Sequence, residues 1–438
     1  MKRKIEQNLL AWKDSSRRKP LILRGARQVG KTWIVRKFGK GHFESFVEID
    51  FEKNPDIHSA FSGSLDTGKI LTTLEFLTGQ RIVAGKTLLF FDEIQACPRA
   101  ILALRYFYEE IPGLAIISAG SLLEFALADI SFPVGRIQFL NMHPMTFFEF
   151  LQACNKQMIL KILQEKPQEL AEPIHEKILE ELRMFFLVGG MPESVETYVK
   201  EKNMLQVSEV HKELLFSFRE DFSKYAPYAD KLCFEDVFRN SAVKLGSQIK
   251  YSHLSSSFKS PTIKKALDTL VKARVLTKVN AISSFTPPLN SQLNLKKFKV
   301  LLLDLGLWQN LSGMHPYQGL LNENLSHIYR GALAEQYVGQ ELLSVLGELK
   351  YWARDKPSSS AEVDFICESR GINIPIEVKS GASGSLKSMH LALHTYPDIP
   401  FGYVLSSRPY HILKEQKLVF LPLYYVGNIM NYQITDFL

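Results

Sequence analysis

The sequence carries, at residues 25–32, the stretch Gly25-Ala26-Arg27-Gln28-Val29-Gly30-Lys31-Thr32. It fits the pattern G-x-x-x-x-G-K-[ST] and follows Pro20-Leu21-Ile22-Leu23-Arg24, an apolar run typical of a buried parallel strand. In such a loop the glycines let backbone N–H groups face a phosphate, the lysine reaches the β- and γ-phosphate oxygens, and the threonine hydroxyl binds Mg²⁺. The stretch therefore predicts a nucleotide-phosphate site formed by Gly25, Ala26, Arg27, Gln28, Val29, Gly30, Lys31 and Thr32.

A second run ends in two acids, as the other half of a nucleotide site requires. Residues 87–91 are mostly large and apolar, and Asp92 and Glu93 follow them directly. Acids at the carboxyl end of a buried parallel strand emerge beside the phosphate loop. We therefore expect Asp92 to hold Mg²⁺ through water and Glu93 to polarise the attacking water, which favours ATP hydrolysis over structural nucleotide binding.

Two further polar residues are candidates for the same site. Ser121 follows an apolar run at 114–119 and could contact the γ-phosphate or the attacking water, with Ser118 as second choice. The alternative is that Ser121 caps the next helix. Arg136 is a candidate arginine finger that would reach the γ-phosphate of a neighbouring subunit, and this role would require self-association. Alternatively, Arg136 binds a carboxylate in its own domain.

Six motifs, including the two described above, carry a family resemblance. They are Arg24 to Thr32, Phe91-Asp92-Glu93-Ile94-Gln95, Ala119-Gly120-Ser121, Gly135-Arg136, His143 to Phe150, and Val188 to Glu193. Together they resemble the motifs of prokaryotic AAA-type ATPases that carry a C-terminal domain of unknown function. The resemblance implies an α/β multidomain protein with a P-loop AAA core, a helical lid, a winged helix and a restriction-endonuclease-like α/β C-terminal domain. The corresponding predicted ranges are 1–143, 144–230, 231–300 and 301–438.

Composition limits the class of protein. A chain of 438 residues fits about two to four domains. The apolar window at 114–132 is interrupted by two acids, and the charged residues 1–7 do not resemble a signal peptide. We therefore expect no membrane partner. The four cysteines, Cys97, Cys154, Cys233 and Cys367, lie far apart and form no C-x-x-C pair. We therefore expect a reducing, cytoplasmic location.

Positive charge is concentrated in the middle of the chain. The net charge is +7, and residues 231–300 contain thirteen Lys or Arg against three Asp or Glu. This excess favours a polyanion partner such as DNA, although a solvated lysine-rich face is the alternative. An apolar stripe on the segment 260–271 predicts the second helix of a winged helix-turn-helix. Its outward residues are Thr262, Lys264, Lys265 and Asp268, and a protein-docking role is also open.

The C-terminal part contains an acidic pattern typical of restriction-type nucleases. Asp364 lies on one predicted strand, and Glu377 and Lys379 lie two residues apart on the next, and thus on one face. Asp364 and Glu377 could share a second divalent cation while Lys379 activates water, with Glu335 from the preceding helix completing the metal shell. Such folds are also retained for binding after catalysis is lost.

Three functions follow from these patterns. The leading one is an AAA-type ATPase that uses ATP and Mg²⁺ and is coupled to DNA through the winged helix and the nuclease-like domain. The second is a metal-dependent nuclease that is regulated by the ATPase. The third is a regulatory scaffold whose C-terminal modules bind proteins.

Overall fold

The computed structural model of the protein describes residues 1–121, 123–126, 135–225, 231–313, 327–355, 361–369, 371–379, 385–432, 435 and 437. The chain divides into two compact units, Met1–His143 and Pro144–Leu438. The boundaries predicted at 230 and 300 both lie inside the second unit. None of the helices that the structure describes is long and apolar enough to cross a membrane.

The first unit alternates strands and helices. Its helices are α1 (Ile5–Asp14), α2 (Lys31–His42), α3 (Thr67–Thr78), α4 (Pro98–Glu110) and α5 (Leu123–Ala126). Its strands are β1 (Leu21–Arg24), β2 (Ser45–Asp50), β3 (Thr87–Asp92), β4 (Ala115–Ala119) and β5 (Gln138–Asn141).

These strands form one parallel sheet in the order β2-β3-β4-β1-β5. Every residue of β3 and β4 is buried, as expected for central strands covered on both faces. Because the strands are parallel, the carboxyl ends of β1, β3 and β4 lie at one edge of the sheet. The phosphate loop, Asp92 and Ser121 follow these three neighbouring strands, so the fold brings the predicted nucleotide residues together.

Among the described residues, the second unit begins with seven α-helices, and three more follow later in the chain. They are α6 (Phe147–Ala153), α7 (Gln157–Gln164), α8 (Glu172–Val188), α9 (Pro192–Glu201), α10 (Met204–Tyr225), α11 (Lys231–Val243), α12 (Ser260–Lys272), α13 (Leu305–Leu311), α14 (His327–Leu346) and α15 (Lys387–Thr395). Its strands are β6 (Leu276–Ile282), β7 (Leu293–Leu302), β8 (Lys350–Ala353), β9 (Glu362–Val363), β10 (Phe365–Ser369), β11 (Ile372–Val378), β12 (Gly402–Ser406), β13 (His411–Leu413) and β14 (Leu418–Pro422).

Two sheets organise this unit. One has the order β7-β6-β8-β9 and the other the order β10-β11-β12-β14-β13. Strand β6 pairs antiparallel with β7 and parallel with β8, so the hairpin of the predicted winged helix shares a sheet with the predicted C-terminal domain. Strand β7 itself crosses residue 300. The sheet is therefore continuous across the boundary expected from the sequence.

A buried aspartate connects helices α8, α13 and α14. Asp304 accepts hydrogen bonds from the backbone N–H of Gly190 (2.6 Å), Gly306 (2.9 Å) and Leu307 (3.2 Å), and from Nε2 of Gln340 (3.4 Å). Gly189 adopts φ 71°, and a Cβ there would overlap with the Asp304 carboxylate. Gly189 is thus explained by close packing against this carboxylate, whereas a Cβ at Gly190 would overlap with the carbonyl oxygen of Met145.

Candidate functional site

The phosphate loop has the backbone geometry that its glycines suggest. Gln28 and Gly30 adopt positive φ angles of 63° and 95°, and α2 begins directly after Gly30. The N-terminal N–H groups of α2 therefore face the loop. A Cβ at Gly25 would overlap with the carbonyl oxygen of Met142, so this position has no space for a side chain.

Lys31 and Thr32 are both held inside the loop region. Lys31 is 7% exposed, and its Nζ donates to the carbonyl oxygens of Gly25 (3.0 Å) and Ala26 (2.8 Å). Oγ1 of Thr32 donates to Oδ2 of Asp92 over 2.9 Å, although the two residues are 60 positions apart. The fold therefore joins the two stretches that the sequence suggested as halves of one site.

Asp92 lies in an environment that disfavours its charge. Burial raises the pKa of Asp92 to about 6, although the hydrogen bond from Thr32 opposes this shift. A cation beside the carboxylate would offset the cost of burying its charge. The hydroxyl and carboxylate oxygens of Thr32 and Asp92 are hard donors of the kind that Mg²⁺ prefers, so these residues fit that ion.

Glu93 is held in a defined position by two neighbours. Its backbone is in the left-handed region, with φ 46°. Its Oε2 accepts hydrogen bonds from Nε2 of Gln95 (2.5 Å) and from the N–H and Oγ of Ser121 (3.1 and 3.2 Å). A Cβ at Gly120 would overlap with Oε1 of Gln95. Ser121, predicted as a phosphate or water contact, thus contacts the predicted catalytic glutamate.

Three residues of this site escaped the sequence reasoning. Gln95 and Gly120 lie within the motifs that carry the family resemblance, but their residue types alone predict no role in the site. Arg3 gave no signal at all. Arg3 is buried, and its guanidinium donates to the carbonyl oxygens of Val29 (3.0 Å) and His143 (2.7 Å). Because Val29 belongs to the phosphate loop, this contact helps to hold the loop backbone in place.

Arg136 forms an ion pair within its own domain, the second of the two alternatives. Its Nε lies 2.8 Å from Oε1 of Glu109, and both side chains are partly exposed. Arg136 precedes β5, whose first residue Gln138 pairs with Leu21 at the start of β1. It therefore lies at the amino edge of the sheet, opposite the phosphate loop of the same chain.

Two of the three predicted C-terminal metal ligands, Glu335 and Asp364, contact a lysine that the sequence did not single out. Nζ of Lys299, on β7, lies 2.9 Å from Oε1 of Glu335, 3.1 Å from Oδ1 of Asp364 and 3.2 Å from Oε1 of Glu362. Nζ of Lys379 lies 2.6 Å from Oε1 of Glu377. We refer to Lys299, Glu335, Glu362, Asp364, Glu377 and Lys379 as the C-terminal cluster.

The structure therefore does not support the second divalent cation predicted at Glu335, Asp364 and Glu377. Within the described residues, no three acidic, cysteine or histidine side chains are placed to hold a metal ion. Burial raises the pKa of Glu335 to about 8, and burial together with Asp364 raises the pKa of Glu377 to about 8. Burial alone would lower the pKa of Lys299, but its three carboxylates hold that pKa well above the usual range.

Helix α12 presents the polar face expected from its sequence. Ile263, Ala266, Leu267 and Leu270 are buried, while Thr262, Lys264 and Lys265 are exposed and Asp268 is half-buried. The basic excess of residues 231–300 is, however, only partly on the surface. Lys299 is buried among acids, and Lys297 pairs with Asp355. The exposed charge is therefore smaller than the sequence count.

Family models cover most of the chain. Residues 17–151 match the AAA domain, residues 179–318 match a domain of unknown function (DUF8612), and residues 330–425 match another domain of unknown function (DUF4143). A search of curated proteins finds no match.

Solved structures show only distant likeness. The Walker-type ATPase PABY2304 of Pyrococcus abyssi is 18% identical, over 71% of this chain and 95% of that chain, with a TM-score of 0.44. The Thermotoga maritima RuvB Holliday junction branch migration motor is 15% identical over 62% and 88%, with a TM-score of 0.30. The Aeropyrum pernix ORC1 protein in complex with DNA is 12% identical over 71% and 90%, with a TM-score of 0.27.

These TM-scores are too low to establish a common fold. The family models, the phosphate loop and its acidic partner strand do agree with one another. The chain therefore contains an AAA-type ATPase domain, and two domains of unknown function follow it.

Proposed function

We propose that the protein hydrolyses ATP with Mg²⁺ and couples this reaction to DNA binding by its second unit. The observation that carries the proposal is the 2.9 Å hydrogen bond between Thr32 and Asp92, which joins the phosphate loop to the strand that ends in the acidic pair. Glu93 follows Asp92 directly and is oriented by Ser121. A cation position and a candidate base thus lie beside the same loop.

The residues of the loop have distinct proposed roles. Thr32 and Asp92 would hold Mg²⁺, which supplies charge neutralisation at the phosphates. Lys31 would exchange its bonds to the carbonyls of Gly25 and Ala26 for bonds to phosphate oxygens. The N–H groups of the loop and of the first turn of α2 would bind the same anion.

Glu93 is the proposed general base. An ionised carboxylate can orient a water and accept its proton as the water attacks the γ-phosphate. Ser121 and Gln95 both donate to Oε2, which leaves Oε1 as the oxygen available for the water. The two donors therefore act as positioning residues for the base.

Arg136 is the proposed finger for a second copy of the chain. Its position at the amino edge of the sheet separates it from the phosphate loop of its own chain. A role at a γ-phosphate therefore requires a neighbouring subunit. Its partly exposed ion pair with Glu109 could be exchanged for such a contact on assembly.

DNA binding is proposed for the region from α11 to β7. The order of helix α11, helix α12 and the β6–β7 hairpin, with a bridge between Ile249 and Phe298, supports a winged helix. The exposed Lys264 and Lys265 on α12 would contact phosphates. The order α14, β8, β10, β11, α15 and β12, with β11 and β12 parallel, likewise supports a restriction-endonuclease-like fold.

ATP binding and turnover measured on single variants test the proposal. Glu93→Gln should retain ATP binding and lower the turnover number by about 10²- to 10⁴-fold, because it removes the base and keeps the shape. Lys31→Ala should weaken ATP binding itself. Glu52→Gln, at an exposed glutamate of the same unit, is the matched control and should change neither quantity. Undiminished hydrolysis in both Lys31→Ala and Glu93→Gln would reject the site.

Two further measurements test the coupling and the assembly. Hydrolysis should be stimulated by DNA at low salt and less so as salt rises. No stimulation at low salt, together with a protein partner lost on deleting residues 144–438, would favour the scaffold function instead. The specific activity should rise with protein concentration if Arg136 acts on a neighbour, and a monomer with constant specific activity would contradict that role.

A further inference from the structure

The Lys299 ammonium lies where the acids of the C-terminal cluster converge. Its side chain is 1% exposed, and its Nζ is within 3.2 Å of one oxygen each from Glu335, Asp364 and Glu362. These acids come from helix α14 and from the β9–β10 segment, so the lysine joins two elements. A single positive charge with three carboxylate neighbours has the surroundings expected of a bound cation.

Two of the remaining carboxylate oxygens of the cluster accept hydrogen bonds from protein donors. Oδ2 of Asp364 accepts from the N–H of Val378 (2.9 Å), and Oε1 of Glu377 accepts from Lys379 (2.6 Å). Oε2 of Glu377 is buried and has no hydrogen-bond partner among the described residues. Mg²⁺ requires about six oxygen ligands in near-octahedral geometry. Nζ of Lys299 occupies the point where Glu335, Glu362 and Asp364 converge, so these acids cannot share a divalent ion there while Lys299 is in place.

Lys299 is also poorly suited to move aside. Its backbone pairs with Val279 in the sheet, its neighbours Phe298 and Val300 are buried, and its Nζ lies 5.2 Å from the centre of the Tyr351 ring. A metal ion among the acids would leave a second positive charge buried beside it without its carboxylate partners. An uncompensated buried charge is strongly destabilising.

We propose that Lys299 is a built-in cation that takes the place of a divalent metal in the C-terminal cluster. The cluster is then a structural centre, and this domain does not cleave phosphodiesters through metal-activated water. Lys299 belongs to the segment 179–318 and its acids to the segment 330–425. The same lysine therefore ties together the two domains of unknown function.

Binding of Mn²⁺ to the full-length, nucleotide-free protein tests the proposal, with electron paramagnetic resonance as the readout. Wild type and Asp364→Asn should bind the same amount of Mn²⁺, because the cluster holds none. Lys299→Ala should gain one Mn²⁺ per chain, and the double variant with Asp364→Asn should lose it again. Lys297→Ala, at a more exposed lysine on the same strand, is the matched control and should gain none.

Two results would overturn the proposal. One is Mn²⁺ bound to the wild type and lost in Asp364→Asn, which would mean that a metal displaces Lys299. This comparison does not depend on whether Lys299→Ala folds. The other is a folded Lys299→Ala that gains no Mn²⁺, which would mean that the acids do not form a cation-binding centre at all.

Discussion

The phosphate-loop site and the C-terminal cluster use the same residue types with opposite results. Each combines a buried lysine with acids near the ends of strands. Lys31 bonds to backbone carbonyls, so the Asp92 and Glu93 carboxylates remain available to a cation and a water. Lys299 bonds to the carboxylates themselves. The position of the lysine, and not the presence of the acids, thus decides whether a site can take a metal.

Replacing Lys299 and Lys31, one at a time, by methionine should give the largest difference between the two sites. Lys299→Met leaves several buried carboxylates without their cation, so the free energy of unfolding should fall by about 3–5 kcal/mol. Lys31→Met should lose ATP binding while the free energy of unfolding falls by about 1 kcal/mol or less. Urea unfolding and nucleotide titration measure the two effects. An equal fall in the free energy of unfolding in both variants would contradict the difference between the two sites.

The positioning of Glu93 by Gln95 can be tested by a substitution at Gly120, which lies against Gln95. Gly120→Ala places a methyl group on Oε1 of Gln95 and should displace that side chain. We expect the turnover number to fall by up to about 100-fold, because small misplacements of a base are costly, while the KM for ATP changes little. Gly113→Ala is the control, since its added methyl group meets Ala84 only at 3.6 Å. A change confined to KM would contradict the positioning role.

Acid should weaken the second unit through His211. Burial lowers the pKa of His211 to about 4, and its Nε2 lies 2.9 Å from the carbonyl oxygen of Val188. The unfolded chain therefore binds more protons between about pH 6.5 and 4. The free energy of unfolding should fall by up to about 1.4 kcal/mol per pH unit in that window. His211→Gln should flatten this pH dependence in urea unfolding, and an unchanged slope would contradict the assignment.

The smallest expected effect concerns DNA. Lys264→Ala and Lys265→Ala should each weaken DNA binding modestly and reduce the slope of affinity against salt by about one. The exposed Lys177 and Lys200, on α8 and α9, provide matched controls. Equal losses from all four substitutions would show a diffuse charge effect and not a surface on α12.

The nucleotide site was predictable because its signals are local. The loop and the acidic pair lie at the ends of apolar strands, and a parallel sheet brings such ends together. The acids of the C-terminal cluster could be named from the sequence, but Lys299 could not, because it meets Glu335 and Asp364 across 36 and 65 positions. The same lysine is also one of the thirteen basic residues of the segment 231–300, whose charge suggested an exposed basic surface. The boundary predicted at 300 likewise lies inside β7, in a sheet formed by strands far apart in the chain.

The continuity of β7 across residue 300 also affects how the protein can be divided and inherited. A truncation there would cut a strand and separate Lys299 from Asp364 and Glu335. We expect neither fragment to fold alone, whereas residues 144–438 form a sensible unit for separate expression. In evolution, the two domains of unknown function would then be transmitted as one module and would not be exchanged individually between proteins.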